Sequence, residues 1–238
     1  MKQLTIALIA LSMLLSMSAC KKLVGTGPVE TQIRTHSNFD GINLSLDATV
    51  ELKQDSFYSV EISAQHNILE VIRTTMTGSE LNIGYKPPYN IKSKEPITIR
   101  ISCPNVHSLN ISGSGSIYCM TNLQTDNLKL NISGSGKMNI PALTASSIDA
   151  NISGSGRIDV LSGTSSSIGC RISGSGDLNL QDVPATTVIT NTSGSGNTKV
   201  HAVSSLDATI SGSGNVYYKG SPVITSQISG SGKIIHIN

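Results

Sequence analysis

The chain has 238 residues, with 17 Lys and Arg against 15 Asp and Glu, a formal charge of +2, no tryptophan and only 3% aromatic residues. So even a balance excludes the basic footprint of a nucleic-acid-binding protein. Four cysteines and five histidines, without a Cys-x-x-Cys pair or Cys/His ligand spacing, exclude a zinc module and give no reason to expect a metal or a cofactor.

In chain order, Lys2 and the apolar run Leu4 to Leu15 have the form of a charged n-region and an h-region too short to span a membrane comfortably. Met17-Ser18-Ala19-Cys20 resembles a bacterial lipobox, so residues 1–19 read as a lipoprotein signal peptide and Cys20 as the lipidated residue. An ordinary secretory peptide cut near Ser18 or Ala19 is the alternative. The expected location is the cell envelope, as an outer-membrane lipoprotein, with the membrane as a partner through the lipid. Residues 20–36, containing Gly25, Gly27 and Pro28, read as anchor and tether, and Lys21 and Lys22 as a juxtamembrane flank.

Residues 37–104 form an N-terminal segment. Ile42, Leu44, Leu46, Ala48, Val50 and Leu52 alternate with other residues, followed by Val60, Ile62 and Ala64, which predicts strands. Asn67-Ile68-Leu69-Glu70 has capping-box character and begins a short apolar helix that caps one end. Beyond Lys86-Pro87-Pro88, Ile97, Ile99 and Ile101 are expected to lead into the first regular coil.

Residues 105–238 are organised by Ser-Gly-Ser-Gly, which occurs seven times at steps of 21, 20, 20, 20, 18 and 18 residues. In Ser147 to Val160, Ile148, Ala150, Ile152, Ile158 and Val160 share one parity, the mark of a half-buried strand. Gly154 and Gly156 mark a corner, and a second bend falls in the variable part of each repeat. A unit this small buries its apolar face only by stacking, so the fold is all-β, a parallel β-helix or solenoid of about seven coils, right-handed by the crossover rule. Thr190, Thr192 and Thr198 replace aliphatic residues in one coil, the expected softest rung.

Cys103, Cys119 and Cys170 fall on the apolar parity and read as small hydrophobes. Asp159 and Asp177 lie on adjacent coils with Arg157 beside them, a solvated charged face or the pair of acids a glycan-cleaving enzyme needs. Two outward columns of serine form a candidate surface: Ser112, Ser133, Ser153, Ser173, Ser193, Ser211 and Ser229, then Ser114, Ser135, Ser155, Ser175, Ser195, Ser213 and Ser231. They present hydroxyls to a glycan or to water, or they are the small residues that glycine corners require, with stacked Ser and Asn side chains satisfying one another.

Phe39-Asp40-Gly41-Ile42-Asn43, the alternating run behind it and the repeated Ile-Ser-Gly-Ser-Gly together resemble the bacterial head GIN-domain family of auto-transporter adhesins. The resemblance extends from about Phe39 to the end of the chain. It implies a right-handed β-helix on an exported protein, and it brings no catalytic residues. The expected role is structural or surface-binding, in adhesion or envelope architecture, with a glycan or an envelope protein as partner. A glycan-active enzyme using Asp159 and Asp177 is one alternative. A periplasmic partner-binding module, or self-association through the coil Ser226 to Ile237, is another.

Overall fold

The computed structural model describes residues 21–238, so the lipidation expected at Cys20 lies outside the described residues. Two short strands, β1 (Lys21–Val24) and β2 (Val29–Ile33), precede the first coil, which is β3 (Gly41–Leu44) and β4 (Thr49–Gln54). From one side of that coil the chain builds β5 (Ser59–Gln65), a single-turn helix α1 (His66–Leu69), β6 (Ile72–Thr77), β7 (Glu80–Tyr85), β8 (Tyr89–Lys92) and β9 (Thr98–Cys103). From the other side come the repeats: β10 (Ser108–Gly113), β11 (Ser116–Cys119), β12 (Leu123–Gly134), β13 (Lys137–Ile140), β14 (Leu143–Gly154), β15 (Arg157–Val160) and β16 (Gly163–Gly174). They continue as β17 (Asp177–Gly194), β18 (Asn197–Gly212), β19 (Val216–Lys219), β20 (Val223–Gly230) and β21 (Ile234–His236).

The repeats stack in parallel with like positions opposed. Ile148 pairs with Ile168, Ala150 with Cys170, Ile152 with Ile172 and Gly154 with Gly174. This is the solenoid that the alternation predicts, and its inward columns are buried from Leu109 to Ala208, Ile111 to Ile210 and Ile117 to Val216. Each fully buried Ile or Leu contributes roughly 1.5–3 kcal/mol relative to exposure. The corner after Gly154 is held by the Ser155 N–H donating to the Gly134 carbonyl at 2.9 Å, and the same bond recurs in the neighbouring coils. The variable part holds two bends where the sequence suggests one. The chain turns between Ile140 and Leu143, and again at Ser146, where pairing skips from Ala145–Ser165 to Ser147–Ser167 and the buried parity shifts. Each full coil therefore has three faces. In the fifth repeat Thr190, Thr192 and Thr198 are at most 2% exposed, and their hydroxyls have no hydrogen-bond partner.

The N-terminal segment departs from the linear order expected of it. β3 pairs with both β7 and β10, and β4 with both β9 and β11, so Ile97, Ile99 and Ile101 belong to a coil on the far side of the first one from the repeats. A coil with two open edges accepts neighbours on both, and a period-two pattern does not say which comes first. Segment 37–104 is thus continuous with the solenoid and supplies two of its layers, the first coil and the one stacked on its far side. Beyond it, β6 runs antiparallel to β7, β5 to β9, and β2 to β5, which closes this end against further parallel stacking.

Asn67 does not cap α1: the N-cap position is Gln65, without a side-chain cap, although Ile68 and Leu69 are fully buried as the helical pattern requires. The Asn67 carboxamide is instead spent on the chain after residue 20, donating to the Val24 carbonyl and accepting from the Thr26 N–H, both at 2.8 Å. Nor are residues 20–36 a free tether where they are described, because β1 pairs with β8 and β2 with β5.

Each residue from Phe39 to Asn43 has a task at the joint between the two directions of building. Phe39 is fully buried, 5.1 Å from the Tyr58 ring, and Ile42 joins the core. The Asp40 carbonyl accepts the His107 N–H at 2.7 Å, and Asn43 donates to Asn82 at 3.0 Å. Gly41 is glycine because the Glu80 carboxylate occupies the space of its missing Cβ, reaching across to accept the Ser108 hydroxyl at 2.5 Å. Gly41→Ala should therefore cost about 1–3 kcal/mol. Glu80→Ala should relieve much of that loss, so a urea-denaturation double-mutant cycle is expected to show strong coupling.

Candidate functional site

All fourteen serines of the two columns are exposed, in register from coil to coil. Among the described residues, none of their hydroxyls bonds to another protein group, so the mutual satisfaction expected of Ser and Asn holds only for asparagine. Asn131 donates to Asn110 at 2.7 Å, Asn151 to Asn131 at 3.0 Å, and Arg171 to Asn151 at 3.2 Å. Such carboxamide ladders stabilise stacked strands in register. The serines have no comparable structural task beyond being small.

Asp159 and Asp177 are brought together, but around a guanidinium. Arg157 donates to Asp159 through Nε at 2.8 Å and Nη2 at 3.1 Å, and its Nη1 lies 3.7 Å from Asp177. Asn179 and Asn197 each donate to one of the two carboxylates at 3.3 Å. The hydrogen bond and charge of Asp159 raise the Arg157 pKa, which fixes its charge. Two carboxylates shared by one permanent cation form a surface ion-pair network, an arrangement that supports holding adjacent coils together.

The three cysteines are buried, free thiols, as their parity predicts. Burial, with a smaller contribution from Asp40 at Cys103, from Cys103 at Cys119 and from Asp149 at Cys170, pushes each up to about 12. A folded thiol then keeps its proton where an unfolded one, with a pKa near ~8.5, has lost it. Their contribution to stability is complete below that unfolded value and is lost as pH rises toward 12. Native protein at pH 8.5 should resist iodoacetamide, whereas all three thiols should react in guanidinium; rapid native labelling would contradict the burial.

A long concavity lies elsewhere, along the short third face. It is a groove of about 1020 Å³ running across several coils, and sequence reasoning did not assemble it. Gln124, Thr144 and Thr164 form its floor, Asp126, Ser146 and Ser166 its corner, and Asp40, Gln54, Asn105 and His107 its end near the first coil. Gln54 builds that end by acting as a substitute strand. Its carboxamide accepts the Gln124 N–H at 2.8 Å and donates to the Gln124 carbonyl at 2.9 Å, completing the face where no strand lies beneath. Asp40 presents a carboxylate with one buried oxygen that lacks a partner. No lysine, arginine, phenylalanine, tyrosine or tryptophan lines the groove. Its chemistry is that of hydroxyls, carboxamides, two carboxylates and one imidazole, and among the described residues no cluster of side chains is suited to hold a metal. Asp40 was legible as part of the motif, but its meeting with His107 depends on β3 pairing with a strand more than sixty residues later.

Residues 38–222 match a protein family described as "Putative auto-transporter adhesin, head GIN domain". No functionally curated protein matches the sequence. Among solved structures, the chain resembles a putative adhesin from Bacteroides fragilis NCTC 9343 with a TM-score of 0.86 at 23% identity, covering 90% of this chain and 100% of that one. It is also similar to a protein from Parabacteroides distasonis ATCC 8503 described as a putative lipid binding protein, with a TM-score of 0.78 at 26% identity and coverage of 92% and 100%. A putative adhesin from Parabacteroides merdae ATCC 43184 matches with a TM-score of 0.73 at 21% identity, covering 91% and 99%.

Proposed function

The chain belongs to the head GIN-domain family of auto-transporter adhesins, and from that premise we propose that it is an exported envelope protein, anchored by lipid at Cys20, that works as a surface-binding module without catalysis. The third-face groove is its binding site, and its ligand is an uncharged, polyhydroxylated chain, a glycan. The observation that carries this is the lining. Polar groups in a long cleft free of lysine and arginine suit a partner that offers many hydroxyls and no anionic charge. Without a tyrosine or tryptophan platform to stack on, affinity per sugar is low and accumulates along the groove.

Thr144→Lys and Thr164→Lys place bulk and charge on the groove floor at exposed positions, so the fold should tolerate them. Screened on an array of neutral glycans, the parent protein should bind and the paired variant should lose at least tenfold in affinity. Ser153→Ala with Ser155→Ala should bind as the parent does. Binding that ignores the groove variant but follows the serines would move the site to the ladders. Protease treatment of intact cells tests exposure: loss of the protein with a periplasmic control intact supports adhesion.

A second reading rests on the last coil. Val223 and Ile228 are 76% and 45% exposed, and the outer edges of β20 and β21 have no partner among the described residues. This edge pairs with a second copy, which light scattering at high concentration would detect as a dimer; a strictly monomeric protein would refute it.

A further inference from the structure

Lipidation at Cys20 would put a membrane beside Lys21, and the fold determines what faces that membrane. The strand β1 starts one residue after the anchor, with Lys21 opposite Tyr89 and Val24 opposite Lys92. The chain stays fastened beyond it. Gly25 donates to the Lys92 carbonyl at 2.9 Å, Asn67 holds Val24 and Thr26, and the His66 N–H donates to the Pro28 carbonyl at 3.1 Å. Gln65 accepts the Lys94 N–H at 3.1 Å, and β2 then joins β5. Leu23 and Ile91 pack against the core from this small sheet. A free tether of this length would give a root-mean-square reach of about 20–25 Å; the docked chain leaves almost none.

The same pairing gathers charge that is dispersed in the sequence. Lys22, Lys92 and Lys94 are exposed on β1, β8 and the turn after it, and none forms a salt bridge among the described residues. The acids of this region are Glu95, beside Lys94 in the chain, Asp47, which lines one hollow with Lys94 and Glu95, and Glu30 and Glu70, which both contact His66.

We propose that this closed end is a membrane-facing surface: the body sits directly on anionic headgroups through these lysines, and the repeats project away from the bilayer. The proposal rests on the lipid anchor at Cys20. Lysines held this close to the surface lie within a Debye length, about 8 Å at physiological ionic strength. From β6 to β20 the stack contains ten strands in sequence, which at about 4.8 Å per step carries the last coil roughly 43 Å from the closed end.

The test uses the full lipoprotein, purified from membranes and reconstituted in phosphatidylcholine vesicles with or without phosphatidylglycerol. Fluorophores on Asn90→Cys, in the small sheet, and on Gln227→Cys, in the last coil, report distance to a headgroup-bound quencher, the buried native thiols staying unlabelled. The expected result is quenching several-fold stronger at position 90 than at 227. Gln65→Ala with Asn67→Ala should erase most of that contrast by releasing the chain. Lys22→Glu, Lys92→Glu and Lys94→Glu together should abolish the difference between the two vesicle types. Equal quenching at both positions overturns the seated geometry, and contrast indifferent to phosphatidylglycerol and to the lysine changes overturns the headgroup contact. Protein that fails to associate with either vesicle overturns the anchor beneath the proposal.

Discussion

Gly154→Ala should destabilise the solenoid by about 3–5 kcal/mol, whereas Ser155→Ala, one residue away, should change stability by less than about 0.5 kcal/mol. Gly154 has φ +125°, a conformation that side chains rarely adopt. A Cβ there would also meet the Gly134 carbonyl oxygen, the acceptor for the Ser155 N–H. Because that oxygen belongs to the backbone of the adjoining coil, relief requires two coils to part, which breaks the ladder on both sides of the corner. The Ser155 hydroxyl is exposed and bonds to nothing in the protein, so its loss removes only hydration. Guanidinium unfolding of the two variants beside the parent decides this. Comparable losses would mean that the serines support the corner, and would also remove the reason for treating them as a free surface.

The opposite change is expected inside the fifth repeat. Thr190 stands between Cys170 and Ala208, Thr192 between Ile172 and Ile210, and Thr198 between Leu178 and Val216, so each hydroxyl is enclosed by apolar neighbours. Replacing all three with valine keeps the shape and removes three unpartnered oxygens. A buried hydroxyl without a partner costs about 1–3 kcal/mol, so the triple variant should gain roughly 3–5 kcal/mol. Stacked coils are held chiefly by their nearest neighbours, so the weakest rung is where the column opens first. Hydrogen exchange at the amides of Ile189 and Asn191 should slow along with the rise in global stability. A destabilised variant would show that the hydroxyls have hydrogen-bond partners in solution.

The core columns could be read from alternation because in a stacked coil burial is a property of parity. Ile152 and Ile172 are buried for the same local reason, whatever lies elsewhere in the chain. The N-terminal segment was not readable in this way. Ile97 to Ile101 show the same alternation whether they precede or follow the first coil in space, and only hydrogen bonding to β4 and β5 places them. Gly25, Gly27 and Pro28 give residues 20–36 the composition of a linker, yet the groups that fasten this stretch, Gln65 and Asn67, are about forty residues away. The Asn67 reading failed for a related reason: a carboxamide suited to cap a helix is equally suited to hold a strand. The groove combines Asp40, His107 and Asp126, which share no local pattern and meet only because coils return each segment to the same face.

Identical register makes the coil a unit of length. Excising residues 143–162 would leave Ala142 joined to Gly163, a residue that occupies the Leu143 position one coil further on. Every column would remain continuous, both ends would keep their contacts, and the groove would shorten by about 4.8 Å through loss of the row that contains Thr144 and Ser146. Duplicating the same stretch would lengthen it by as much. A lineage carrying this architecture can therefore adjust the span of its third-face groove, and the distance its far end stands from its base, by duplicating or deleting a segment that encodes one coil. No point mutation offers that adjustment.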